Sequence, residues 1–307
     1  MKIGLIDIDG HGFPNLPLMK LSAWHKERGD EVEWYEPMFS GHKDRVYMSK
    51  VFSFSPDYLY HVDADEIVKG GTGYCIEMRN GKEAFNNKRD IQLPEAIEHI
   101  YPDYSIYGIK DTAYGFMSRG CPRGCAFCHV AAKEGQRSRK VADLSEFWKG
   151  QKHVELMDPN TLACTEWRDI LQQLIESKAW INFNQGLDIR MMTEEKADML
   201  KRIKIEGIHF AWDRYEDKEM ILPKFKAFRK ASTISSHNLQ VYVLCGYDTT
   251  LDQDLERIYT LRELGFAPYV MIYDKEHTEP GSDIRRLQRW VNNRFVFWKT
   301  ARFEEYQ

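Results

Sequence analysis

Met117-Ser118-Arg119-Gly120-Cys121-Pro122-Arg123-Gly124-Cys125-Ala126-Phe127-Cys128-His129-Val130 sets three cysteines at C-x-x-x-C-x-x-C spacing. Thiolates are soft ligands for iron, and a short loop can wrap three of them round one corner of a cubic cluster. A [4Fe-4S] cluster has four irons, so three cysteines leave one iron open to a small molecule. Gly120 and Gly124 allow the tight turns that a bulky inorganic body demands. Pro122 stiffens the loop and removes one N–H donor. The competing readings are a zinc loop or three buried thiols. Zinc favours four ligands in paired spacings, and His129 directly follows Cys128, too close to complete such a pair.

With Phe127 just before the last cysteine, the motif resembles the signature of the radical SAM superfamily, C-x-x-x-C-x-aromatic-C. The resemblance implies that Cys121, Cys125 and Cys128 hold a [4Fe-4S] cluster. S-adenosylmethionine then chelates the open iron through its amino and carboxylate groups. An electron from the cluster cleaves it to a 5′-deoxyadenosyl radical. It also implies an electron donor such as flavodoxin or ferredoxin. The whole chain is similar to a compact group of radical SAM proteins of this size, a likeness that supplies no substrate. The substrate could be nucleic acid, peptide or small molecule.

Composition sets the bounds. The 307 residues can bury a sizeable core and fill one large domain or two. A net charge of −4 with 29% charged residues favours neither nucleic acid nor membrane. No apolar run approaches bilayer-spanning length, so no membrane partner is expected. The start, Met1 to Asp9, meets acid too early for a signal peptide and reads as a strand. Six cysteines in a chain of this length do not suggest a secreted disulfide framework; a cytoplasmic location is expected.

The fold expected is α/β in two parts. Over residues 1–110 the pattern predicts strands at Lys2 to Ile8, Glu31 to Tyr35, Arg45 to Phe54 and Asp57 to Val62. A helix holding Leu16, Met19, Leu21, Ala23 and Trp24 ends near Gly29. A short helix is expected over Pro94 to Ile100. This part, with Arg28-Gly29-Asp30-Glu31-Val32 as its turn into the second strand, resembles the small Rossmann-like, cobalamin-binding-type domain of one radical SAM branch. Tyr101 to Gly108 looks like that branch's connector, placing the boundary near Asp111.

Over residues 111–307 a strand–helix rhythm predicts strands at Ala113 to Ser118, Val154 to Met157, Trp180 to Phe183, Gly207 to Trp212, Leu239 to Cys245 and Tyr269 to Tyr273. Six units cannot close an eight-stranded barrel. They fit the open, partial (β/α)6 TIM-like barrel that the resemblance implies. In α/β barrels the chemistry sits at the C-terminal ends of strands. By family position, Asp158 and Asn160 look like the group that meets the ammonium of S-adenosylmethionine. Many members carry Gly-Gly-Glu there, and Asp158-Pro159-Asn160 stands in its place. Arg190 looks like the carboxylate partner, Asp213 fits the ribose, and Phe127 would lie against the adenine. A cap, an ion pair or a core aromatic is the plainer reading of each.

Cys75, Cys164 and Cys245 are scattered and read as buried small hydrophobes. In Asp9-Gly10-His11-Gly12-Phe13-Pro14, the Asp–His pair has the spacing of a cobalamin-binding loop, D-x-H-x-x-G. Pro14 takes the place of the final glycine, so the domain is expected to serve mainly as a lid, with cobalamin disfavoured. The plainer reading is a loop in which Asp9 or His11 caps the next helix. The tail from Arg285 to Lys299 interleaves basic and aromatic residues. It could stack bases, but a helix closing the barrel is favoured. Two alternatives stand beside the main reading: a cobalamin-dependent radical SAM methyltransferase, and a non-catalytic iron–sulfur protein that binds nucleic acid.

Overall fold

The computed structural model describes residues 1–79 and 82–306. The chain divides into two compact units, Met1–Val154 and Glu155–Gln307. It is an α/β protein with two main parallel sheets.

The first sheet has four strands in the order β2-β1-β3-β4: β1 (Lys2–Asp7), β2 (Glu31–Trp34), β3 (Lys43–Ser49) and β4 (Ala64–Gly70). Its pairs are all parallel, with Ile3 opposite both Val32 and Arg45. Alternation in β1 feeds both faces. Ile3 and Leu5 pack with Leu18, Leu21 and Ile97. Ile6 packs with Tyr35, Val46 and Met48 on another cluster. Helix α1 (Leu16–Glu27) follows β1, and Asn15 is its N-cap, accepting from the Leu18 N–H at 3.3 Å. Neither Asp9 nor His11 caps it. The last strand lies later than the expected Asp57 to Val62. Leu59 and Tyr60 in that stretch are 89% and 71% exposed. The adjacent acids Asp65 and Glu66 disguise the true strand, in which Ile67 and Val68 are the β-branched pair.

The rest of this unit is made of small pieces. Helix α2 (Thr72–Cys75) leads into a hairpin of β5 (Ile76–Arg79) and β6 (Lys82–Phe85), and α3 (Glu95–Glu98) follows. The stretch expected as one strand from Ala113 to Ser118 is two: β7 (Thr112–Gly115) and β8 (Ser118–Arg119). Helix α4 (Val130–Glu134) and strand β9 (Arg139–Lys140) come next.

The second sheet has six strands in the order β14-β13-β12-β11-β10-β7. They are β7, β10 (His153–Leu156), β11 (Trp180–Phe183), β12 (Lys204–Ala211), β13 (Leu239–Cys245) and β14 (Ala267–Ile272). The order is sequential, and no closed barrel forms among the described residues. The intervening helices are α5 (Trp167–Ser177), α6 (Glu194–Lys201), α7 (Lys218–Ala231) and α8 (Leu251–Glu263). Thr193 caps α6, accepting from the Lys196 N–H at 3.3 Å, as its sequence position suggests. Two helices close the chain, α9 (Asp283–Asn292) and α10 (Arg294–Lys299). Trp290 of α9 and Phe297 of α10 are buried at 0% and 1% exposed, whereas Phe295 and Trp298 of α10 are 83% and 39% exposed. Among the described residues no helix is long and apolar enough to cross a membrane.

Candidate functional site

The cysteine loop leaves β8 and returns through β9, two short antiparallel strands that pair Arg119 with Arg139 and form its neck. Cys121 donates its N–H to the Gly135 carbonyl at 3.1 Å, closing the loop a second time. Gly120 has φ +88, and a Cβ there would stand 2.2 Å from the Arg137 carbonyl oxygen, so only glycine fits the neck. Glu134 ties the two sides: its carboxylate accepts from the Gly120 N–H at 3.1 Å and pairs with Arg119 at 3.0 Å. Sequence reasoning missed Glu134. Its signal was faint, a lone acid one residue before Gly135.

Inside the loop the Cys128 N–H donates to the Cys125 carbonyl at 3.0 Å. Cys121 and Cys125 are half-buried and Cys128 is exposed, whereas Cys75, Cys164 and Cys245 are buried. Burial pushes the Cys164 thiol up to about 11 and raises those of Cys75 and Cys245. The buried three are therefore held as thiols, poor ligands for a metal. The loop three have the donor chemistry and access that an iron–sulfur cluster needs. Among the described residues, no three His, Cys, Asp or Glu side chains are gathered as ligands of one ion. Phe127 is half-buried in the same loop.

At the start of the chain, the Asp9 carboxylate fastens the loop after β3. It accepts from the Val51 N–H at 2.5 Å, the Phe52 N–H at 3.2 Å and the Ser55 hydroxyl at 2.5 Å. The His11 ring packs on Trp34, with centroids 4.2 Å apart. Pairing between Asp9 and His11 is thus not what positions that imidazole.

In the second unit, the remaining sequence-predicted residues follow strand ends. Asp158 and Asn160, 3% and 2% exposed, follow β10, and Thr161 donates its hydroxyl to Asp158 at 3.2 Å. After β11, Arg190 forms ion pairs with Asp188 at 2.7 Å and Asp217 at 2.6 Å, which fix its guanidinium between two carboxylates. Asp213, after β12, is partly buried, and burial pushes its carboxyl up to about 6 against the pull of Arg257 and Arg190. Arg190 and Asp213 are thus electrostatic neighbours.

Two further features escaped the sequence reading. Arg257, on α8, is 0% exposed. It donates to the carbonyls of Trp212 and Leu244, each at 2.7 Å, and to Asp213 at 3.1 Å, while pairing with Asp254 at 2.5 Å. It thereby staples the C-terminal ends of β12 and β13. The signal was an acid and a base, i to i+3, within the apolar stripe of Leu255, Ile258 and Leu261. The second feature is a row of polar side chains, one per strand: Glu155, Asn182, His209, Tyr242 and Tyr269. Each sits between two buried apolar neighbours in its strand. Asn182 donates to Glu155 at 2.8 Å. His209 stacks on Tyr242 with centroids 5.1 Å apart, and Tyr242 meets Tyr269 edge-on at 5.8 Å. Burial lowers the His209 pKa, which favours the neutral ring.

Compared with known proteins, the chain matches no family model, and no curated protein matches it.

Proposed function

We propose that the protein is a radical SAM enzyme. The observation that carries this reading is the loop between β8 and β9, which presents three accessible thiols at C-x-x-x-C-x-x-C spacing while the other three are buried. In this reading the four-stranded sheet is a Rossmann-like, cobalamin-binding-type domain. The six-stranded sheet, sequential in order, is an open (β/α)6 TIM-like barrel. When bound, a [4Fe-4S] cluster supplies an electron that cleaves S-adenosylmethionine to methionine and a 5′-deoxyadenosyl radical able to take hydrogen from a substrate.

The chain's own residues divide the remaining work. Cys121, Cys125 and Cys128 hold the cluster, on a loop whose ends Glu134 and Gly120 fix. Asp158 and Asn160 accept from the ligand's ammonium. Arg190, held by Asp188 and Asp217, meets its carboxylate, for which a guanidinium fork is suited. Asp213 accepts from the ribose, and Phe127 walls the adenine. The test is anaerobic reconstitution with iron and sulfide, then dithionite and S-adenosylmethionine. Visible absorbance that bleaches on reduction, with release of 5′-deoxyadenosine, is expected. Absence of both would remove the reading and leave a scaffold role.

Arg190→Ala should weaken S-adenosylmethionine binding about tenfold or more, the size of one lost charge-assisted contact, with cluster iron unchanged. Calorimetry on the reconstituted protein reads this, and unchanged affinity would assign Arg190 to its two aspartates alone. Cobalamin has no part in this reading, because Asp9 is committed to the 51–55 loop. After incubation with hydroxocobalamin and desalting, no corrinoid spectrum should remain. Stoichiometric corrinoid, lost on His11→Ala, would recast the protein as a cobalamin-dependent methyltransferase.

A further inference from the structure

The first unit holds a half-open pocket of about 470 Å³ lined by α1 and by β3 and β4 of the four-stranded sheet. That is within the range of small-molecule sites, about 300–1,000 Å³. Leu18, Leu21, Trp24, Ile91, Leu93 and Ile97 give it an apolar wall. Its charged lining is mostly neutralised. Arg45 pairs with Glu66 at 2.5 Å. Glu98 pairs with Lys20 at 3.0 Å and with Arg119 at 3.4 Å. His25 meets Asp30 at 2.6 Å.

Two lining charges differ from these. Lys133, on α4, donates from Nζ to the Thr72 hydroxyl at 2.7 Å, a neutral partner. Asp90 accepts from the Gln92 amide, also neutral. Both are half-buried, and among the described residues neither has an oppositely charged partner within 4.0 Å. Half-buried charges of opposite sign that line one apolar pocket without a salt bridge are complementary to a molecule that carries both charges itself.

We infer that this pocket binds a zwitterionic α-amino acid with a large apolar side chain. Lys133 takes its carboxylate, Asp90 takes its ammonium, and the side chain lies along Leu18, Leu21, Trp24 and Ile97. The inference takes nothing from the iron–sulfur reading. The two meet in one respect: Lys133 stands on the helix that leaves the cysteine loop, five residues beyond Cys128. A ligand held by Lys133 lies beside that loop's exit.

The experiment titrates the full chain by calorimetry with L-tryptophan, tryptamine and indole-3-propionate, which share a ring and differ in charge. L-Tryptophan should bind one to one, and each truncated analogue about tenfold or more weaker, as expected for one lost charge-assisted contact. Lys133→Met should bring L-tryptophan down to the level of tryptamine. Asp90→Asn should bring it down to the level of indole-3-propionate. Leu93→Trp, which puts a larger ring into the pocket, should weaken binding with the circular dichroism spectrum unchanged. Equal affinity for the three compounds, no binding of any, or unchanged binding by the Leu93→Trp protein would overturn the assignment. Titration needs neither iron nor S-adenosylmethionine, so its failure leaves the cluster reading intact, and the reverse also holds.

Discussion

Replacing Cys121, Cys125 and Cys128 together by alanine should remove nearly all cluster iron after anaerobic reconstitution. Replacing Cys75, Cys164 and Cys245 should leave iron content unchanged. Iron and sulfide assays with the visible spectrum check both halves. The contrast follows from access. A thiol must lose its proton to ligate iron, and the buried three resist that loss. The loop three lie on a partly exposed segment whose neck is set by backbone bonds and by Glu134. Thermal unfolding of the triple variant should change little, since those side chains fill no core. Retained iron in the triple variant would end the cluster assignment.

The second large effect concerns Arg257. Arg257→Met should destabilise the second unit by about 3–5 kcal/mol, because Asp254 would be left buried without its partner. Arg257 is 0% exposed and Asp254 2% exposed, so water cannot take over. Urea denaturation reads the change as a shift of the midpoint at constant slope. The double variant Arg257→Met, Asp254→Leu should recover most of the loss, since both charges leave together. A midpoint shift worth less than about 1 kcal/mol in the single variant would show the pair to be dispensable. The effect reaches the candidate site as well. Arg257 holds the carbonyls of Trp212 and Asp213 and offsets the burial of the Asp213 carboxyl.

Periodicity carried much of this fold. Trp180 to Phe183 and Leu239 to Cys245 are strands with the bounds expected, because short apolar runs end at polar strand tips. The amphipathic α5 starts at Trp167 as its apolar spacing predicts. The misses have local causes. In β4 the charged Asp65-Glu66 pair hides a strand whose partner lies about twenty residues earlier. Between β7 and β8 the chain turns off the sheet to make the loop neck, an effect of tertiary pairing that no window of residues contains. The cysteine spacing was legible because it is a one-dimensional property, and the structure carries it on the loop between β8 and β9. Arg257, Glu134 and the pocket lined by α1 were not, because each depends on residues far apart in sequence.

The polar row across β10 to β14 bears on how the second sheet assembles. Side chains on a strand alternate between faces, so slipping any one strand by a single residue exchanges its two faces. In each of these strands that slip would turn the polar residue into the place of a buried apolar neighbour. It would also turn two apolar neighbours out of the core. A slipped β12, for example, would bury His209 where Ile208 or Phe210 now stands, both 0% exposed. The burial of an unpaired imidazole and the loss of two packed side chains would act together on each misaligned strand. The row therefore acts as a proofreading device for strand alignment, repeated five times, and makes correct register the state in which every strand agrees with its neighbours.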